Sequence, residues 1–169
     1  MPIRLKELDC LSQEEYRFAL NRLDSLVILL DSVHALHSVL DLQRFGPANE
    51  GGKISALTND EQLDDYTYRV AGCVGVFWTK MSLAHLMSLK PEKEAEFFEK
   101  GVRFGKALQM INILRDIPED LRFGRCYIPS DALARHGLKP EDLLDHTNIN
   151  RFRPLYDEYL CNIQYPLIA

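Results

Sequence analysis

The chain has 169 residues, 46% of them apolar, and a formal net charge of −5. That length and composition suit one folded domain with a real core and exclude a disordered or low-complexity chain. An acidic balance with Lys and Arg scattered along the sequence excludes nucleic acid as a partner, because phosphate recognition needs clustered positive charge.

In chain order, Met1-Pro-Ile-Arg-Leu-Lys-Glu opens without an apolar signal core, which predicts cytosolic synthesis. Ser12-Gln-Glu-Glu15 reads as a capped helix start. Leu20, Leu23, Val27, Leu30, Val33, Leu36 and Leu40 then recur at helical spacing, and the apolar run Leu26 to Leu30 is far too short to span a membrane. Gly46-Pro-Ala-Asn-Glu-Gly-Gly52 is a loop by composition. A second long helix is expected from about Thr58 to Leu89, and a third begins with Pro91 in its first turn, where a missing N–H is harmless. Ser130-Asp131 can cap a brief helix ending at Gly137, Lys139-Pro-Glu-Asp142 can open another, and a last helix should cover about Asn150 to Ile163. Strand signals are nearly absent, so the expectation is a single all-α domain over residues 1–169.

Cys10, Cys73, Cys126 and Cys161 are widely spaced with no Cys-x-x-Cys pair, which reads as free thiols in a reducing compartment rather than a zinc site. His34 and His37 share a helix face, but no third ligand lies near them in sequence.

The informative stretch is Gly105-Lys-Ala-Leu-Gln-Met-Ile-Asn-Ile-Leu-Arg-Asp-Ile-Pro-Glu-Asp120. At about 100° per residue, Gly105, Gln109, Asn112, Asp116 and Asp120 fall within roughly 60° of one another. The surrounding positions Phe104, Leu108, Met110, Ile111, Ile113, Leu114 and Ile117 are apolar, so a helix buried nearly all round is expected. A polar stripe on such a helix must face a wet cavity or other polar groups. Asp116 and Asp120, one turn apart, repel each other unless protonated or neutralised by a cation. Hard oxygen ligands beside a cavity suit magnesium, which is commonly shared with substrate phosphates. The competing reading is an ordinary acidic helix end paired with Arg115 or Arg122. Pro118 inside this pattern predicts a kink or loosening around Asp116. Upstream, Tyr66, Val70, Cys73 and Phe77 share one mostly apolar face, and Ala71 and Gly75 another, where a neighbouring helix could approach closely. Plain core packing is the alternative for these positions.

Ala107 to Asp120, followed by Gly124-Arg-Cys-Tyr-Ile-Pro129, resembles the second aspartate-rich signature of the squalene and phytoene synthase family. Independently, Tyr66-Thr-Tyr-Arg-Val-Ala-Gly-Cys-Val-Gly75 is similar to that family's Tyr-x-x-x-Val-Ala-Gly-x-Val-Gly segment, and the likeness runs from about Asp41 to Leu160. The resemblance implies an isoprenoid-synthase helical bundle that joins two prenyl diphosphates head to head. Carried onto this chain, it makes Asp116 and Asp120 the magnesium ligands and, with Tyr66, the catalytic residues. Gln109 and Asn112 would line the substrate pocket beside them, Arg115 and Arg125 would support the diphosphate, and Val70, Cys73 and Phe77 would line an apolar tunnel for the prenyl tail. Asp41-Leu-Gln-Arg-Phe45 and the tyrosine segment look most like bacterial squalene synthases, which make squalene from two farnesyl diphosphates through presqualene diphosphate. A phytoene or dehydrosqualene synthase is the alternative. Only squalene formation needs NADPH, for which the sequence carries no nicotinamide-binding fingerprint. The lipophilic product would bring peripheral membrane contact to a cytoplasmic protein.

The family's first aspartate-rich helix and its closing C-terminal helices have no evident counterpart. Asp60-x-x-x-Asp64 reads instead as a first-turn acidic cluster favoured by the helix dipole, and Asp24 and Asp31 are seven apart. The expectation is therefore a truncated bundle with half of the metal site, for which a non-catalytic binding or assembly module is the remaining alternative.

Overall fold

Asn59 starts the best-defined helical run: its side chain accepts from the Gln62 amide at 3.0 Å, and the Gln62 side chain accepts from the Thr58 amide at 2.9 Å. These reciprocal bonds satisfy donors that a helix start leaves orphaned. The computed structural model describes residues 38–48, 51–86 and 89–168, with side chains described to residue 163. All of these lie in the unit His37–Ala169. The expected helix from Ser12 falls outside the described residues up to residue 37, as do Cys10, Asp24, Asp31, His34 and His37.

Residues 38–45 form helix α1. A two-residue strand β1 (Ser55–Ala56) follows, then α2 (Asp60–Thr67), a π-helical turn (Tyr68–Gly72) and α3 (Cys73–His85). Helix α4 (Pro91–Arg122) carries Pro91 in its first turn, as expected. Strand β2 (Arg125–Cys126), α5 (Ser130–Arg135), two 3-10 turns (Pro140–Leu144 and His146–Asn148) and α6 (Ile149–Ile168) complete the described chain. The last helix outruns its expected end at Ile163.

The long helix expected from Thr58 to Leu89 is divided at its centre. The Cys73 N–H bonds to the Tyr68 carbonyl, an i to i+5 closure that absorbs one extra residue into the turn. Below that turn, α3 and α4 pack antiparallel on glycine. A methyl at Gly75 would overlap the Gly101 carbonyl, one at Gly105 would overlap the Ala71 carbonyl, and one at Gly101 would strike Thr79 Oγ1. The close approach expected at Ala71 and Gly75 is thus present. On the other side of α4, Leu155, Tyr159 and Ile163 bury the one face of α6 that their four-residue spacing defines.

Helix α4 stays helical through Pro118. Two expectations are corrected here. Helix α4 is not buried all round among the described residues, because Phe104, Leu108 and Ile111 are exposed beside the buried Gln109, Ile113 and Leu114. The short helix α5 takes Pro129, not Ser130, at its N-cap position. Ser130 is used elsewhere: its amide donates to the Leu57 carbonyl at 2.8 Å.

The two strands, unread in the sequence, pair in parallel with Ser55 opposite Arg125 and Ala56 opposite Cys126. Gly124 enters with φ +77, a region that L side chains rarely adopt. Ser55 N–H donates to the Gly124 carbonyl at 2.9 Å, and Leu57 N–H to the Cys126 carbonyl at 3.1 Å. This small ladder pins segment 124–131, which follows the end of α4, against residues 55–58.

Candidate active site

Side chains alternate across an extended segment, and in Arg125-Cys-Tyr-Ile128 the alternation divides core from site. Cys126 and Ile128 are buried in the core. Arg125 and Tyr127 line a recess of about 430 Å³ at the C-terminal half of α4. Facing them from α4 are Gln109, Asn112, Arg115, Asp116, Glu119 and Asp120. The stripe that helical periodicity assembles from the sequence therefore opens into one hollow, together with both arginines named with it.

Asp41, on α1, is the residue that sequence reasoning missed. Its carboxylate is buried and accepts three hydrogen bonds: Tyr66 Oη at 3.0 Å and Tyr127 Oη at 2.8 Å on Oδ1, and Arg125 Nη1 at 2.8 Å on Oδ2. A buried charge held this way is compensated by both charge and hydrogen bonds. The Tyr66 and Tyr127 rings meet tilted, with centroids 4.9 Å apart, and Phe45 meets Tyr127 edge-on at 4.9 Å. Burial, the neighbouring phenol and the Asp41 carboxylate push the Tyr66 hydroxyl far above its ordinary pKa, so it acts as a donor. Tyr66 is fully buried behind Asp41 and does not itself line the recess; Tyr127 does. The signal for Asp41 was a lone acid among apolar helix positions, which means little until its partners from two other segments are known.

The two α4 aspartates differ. Arg115 Nε and Nη2 donate to Asp116 at 2.7 and 2.6 Å, which holds that carboxyl below its usual range. Asp120 is pushed up to about 7, first by burial and then by the Asp116 and Asp41 charges, with Arg125 opposing. The recess thus carries more negative charge than it neutralises, next to a buried Arg125 Nε–H that has no partner among the described residues. Among the described residues no three acid, histidine or cysteine side chains converge to hold a metal by themselves. Two carboxylates one turn apart nevertheless match the donor set of magnesium, which usually takes one or two carboxylates and fills its octahedron with water and phosphate oxygen.

A second, apolar hollow of about 600 Å³ lies between α3 and α4. Its floor is the glycine contact, and Val74, Trp78, Phe104 and Leu108 are among its walls. Gly105 and Leu108 stand one turn from Gln109 and Asn112, so the apolar hollow and the polar recess share a stripe of α4. Val70, Cys73 and Phe77 line neither hollow. Val70 is in the core, the Cys73 thiol donates to the Arg69 carbonyl at 3.0 Å, and Phe77 meets Trp78 edge-on at 5.7 Å. The π turn explains the shift. One extra residue in the turn carries the stripe begun by Tyr66 and Val70 on to Val74 and Trp78. Asp60 and Asp64 lie away from the recess, Asp60 accepting from Tyr159 Oη at 2.7 Å and Asp64 paired with Lys106.

Known proteins resemble this chain in sequence and in fold. The family model described as squalene/phytoene synthase matches residues 38–163. The 15-cis-phytoene synthase of Synechocystis is 35% identical over 144 residues, which is 78% of this chain and 41% of that protein. The chloroplastic phytoene synthase of an Oncidium hybrid is 37% identical over 121 residues, 68% of this chain and 28% of that one. The chain therefore spans well under half the length of these relatives. A crystal structure of a dehydrosqualene synthase in complex with ligand superposes with a TM-score of 0.52 at 26% identity, covering 67% of this chain and 37% of that one. The squalene synthase HpnC from Alicyclobacillus acidocaldarius shares the fold, with a TM-score of 0.53 at 24% identity over 66% of this chain and 39% of that one.

Proposed function

The chain belongs to the squalene/phytoene synthase family, and we propose that its recess binds the magnesium diphosphate of a prenyl substrate for head-to-head condensation. The observation that carries this reading is the convergence of Gln109, Asn112, Asp116 and Asp120 with Arg125 in one hollow, joined along α4 to an apolar one.

Asp116 and Asp120 would hold magnesium, which when bound neutralises charge on the departing diphosphate. Arg115 and the unpartnered Nε–H of Arg125 would donate to diphosphate oxygens. The Gln109 and Asn112 amides would orient the same group. Asp41, held by two phenols, fixes the Arg125 guanidinium, so that little reorganisation is left for the reaction. The apolar hollow would take the prenyl tail and keep water from the allylic cation left when the C–O bond breaks. Our reading is that two farnesyl diphosphates are joined through presqualene diphosphate to squalene, with NADPH supplying the final reduction. Phytoene or dehydrosqualene formation is the second reading, supported by the names of the phytoene synthases and the dehydrosqualene synthase that this chain resembles.

Calorimetric titration with inorganic diphosphate tests the site. Binding should require magnesium and fall at least tenfold in Asp116→Asn, and magnesium-independent or unchanged binding would return these acids to surface charge. Incubation with farnesyl diphosphate and magnesium, with and without NADPH, then separates squalene from the alternatives.

A further inference from the structure

The apolar hollow runs along α4 from Leu108, beside the polar recess, to Phe97. The eleven steps between these two residues, at about 1.5 Å of rise each, give a groove of roughly 16 Å. Its glycine floor is immovable, since Gly75 and Gly101 already meet backbone to backbone. Beyond Phe97 the surface turns polar. Lys100 pairs with Glu96 at 3.2 Å, and Ser82 closes the α3 side. An extended hydrocarbon advances about 1.3 Å per carbon, from bonds of about 1.5 Å. The twelve-carbon backbone of a farnesyl group is then roughly 15 Å long, whereas the sixteen-carbon backbone of a geranylgeranyl group is roughly 20 Å.

We propose that Phe97 is the chain-length stop of this groove and that the groove selects a fifteen-carbon prenyl tail over a twenty-carbon one. The inference rests on the prenyl diphosphate reading above, whose own test uses inorganic diphosphate and has no tail. Trp78 is the chain's single tryptophan, half-exposed on the groove wall, and reports directly on what enters. Phe97 is only partly buried, which makes its replacement compatible with folding.

The test titrates the full chain, with magnesium, against non-hydrolysable geranyl, farnesyl and geranylgeranyl thiolodiphosphates, following Trp78 emission and heat. Farnesyl should bind at least tenfold more tightly than either neighbour and shift Trp78 to the blue. Phe97→Ala should bring geranylgeranyl to within about threefold of farnesyl, and Phe97→Trp should move the preference toward geranyl, while affinity for inorganic diphosphate stays unchanged in both. Equal farnesyl and geranylgeranyl affinities in the unaltered chain would overturn the proposal while leaving the diphosphate site intact. So would a Trp78 emission that ignores all three tails, or preferences that neither variant moves.

Discussion

Replacing Asp41 with asparagine keeps the side chain's shape but removes the charge on which Tyr66, Tyr127 and Arg125 converge. Asparagine can still accept from one or both phenols. On its other side it turns an N–H₂ toward Arg125, donor against donor, so the guanidinium loses its bond at 2.8 Å and its counter-charge together. The Asp41 side chain is 6% exposed and that of Arg125 24%, so solvent screens little of this loss. Breaking a buried pair by removing one partner costs about 3–5 kcal/mol. We expect the low end, about 3 kcal/mol, because Arg125 can turn toward Asp120 at the edge of the recess. For a domain of this size that corresponds to a fall in Tm of roughly 6–12 °C. Urea denaturation followed by circular dichroism measures the difference, with Asp65→Asn as the control. Asp65 is itself solvent-accessible and forms a partly buried pair with Arg44 and an exposed one with Arg69, and its loss should cost about 1 kcal/mol. If Asp41→Asn is no more destabilising than Asp65→Asn, then Asp41 is not the hub that the hydrogen bonds describe.

Gly75→Ala and Gly105→Ala should each destabilise the protein by about 1–3 kcal/mol, since both methyls meet backbone carbonyls that cannot move independently of a helix; thermal denaturation checks this. Tyr66→Phe and Tyr127→Phe should each cost about 1 kcal/mol and be non-additive in the double variant, because both donate to the same Asp41 oxygen; a double-mutant cycle in urea supplies the coupling. Asp120 has a folded-state pKa near 7, above its unfolded value, so the unfolded chain releases this proton first. Without magnesium, stability should therefore decline as pH rises from about 4 to about 7, and Asp120→Asn should flatten that decline in a pH series of urea melts. Magnesium-dependent diphosphate binding should strengthen over the upper part of the same range as Asp120 ionises, a trend absent in Asp120→Asn by calorimetry.

What the sequence discloses here follows from how local each signal is. The Gln109, Asn112, Asp116 and Asp120 stripe depends only on helical periodicity within one element, so the order of residues is enough to display it, and the recess contains all four. Arg125 and Tyr127 are placed by a two-residue parallel ladder whose hydrogen bonds join positions about seventy apart. No strand-length pattern announces such a ladder, and Tyr127 went unread although the alternation with Cys126 and Ile128 was there to be seen. Asp41 is harder still, because its role is defined by partners 25, 84 and 86 residues away. The groove wall failed for another reason. Tyr66, Val70, Cys73 and Phe77 lie on one face only if every turn holds 3.6 residues, and one π turn at Tyr68–Gly72 changes that count. That turn sits where Gly105 presses on Ala71, so the helix is widened at one of the close approaches of its neighbour. The extra residue lets a single rod serve both environments. Above the turn it presents Tyr66 to the Asp41 carboxylate, and below it Val74 and Trp78 to the apolar groove. An uninterrupted α-helix would have carried Cys73 and Phe77 round to that side instead.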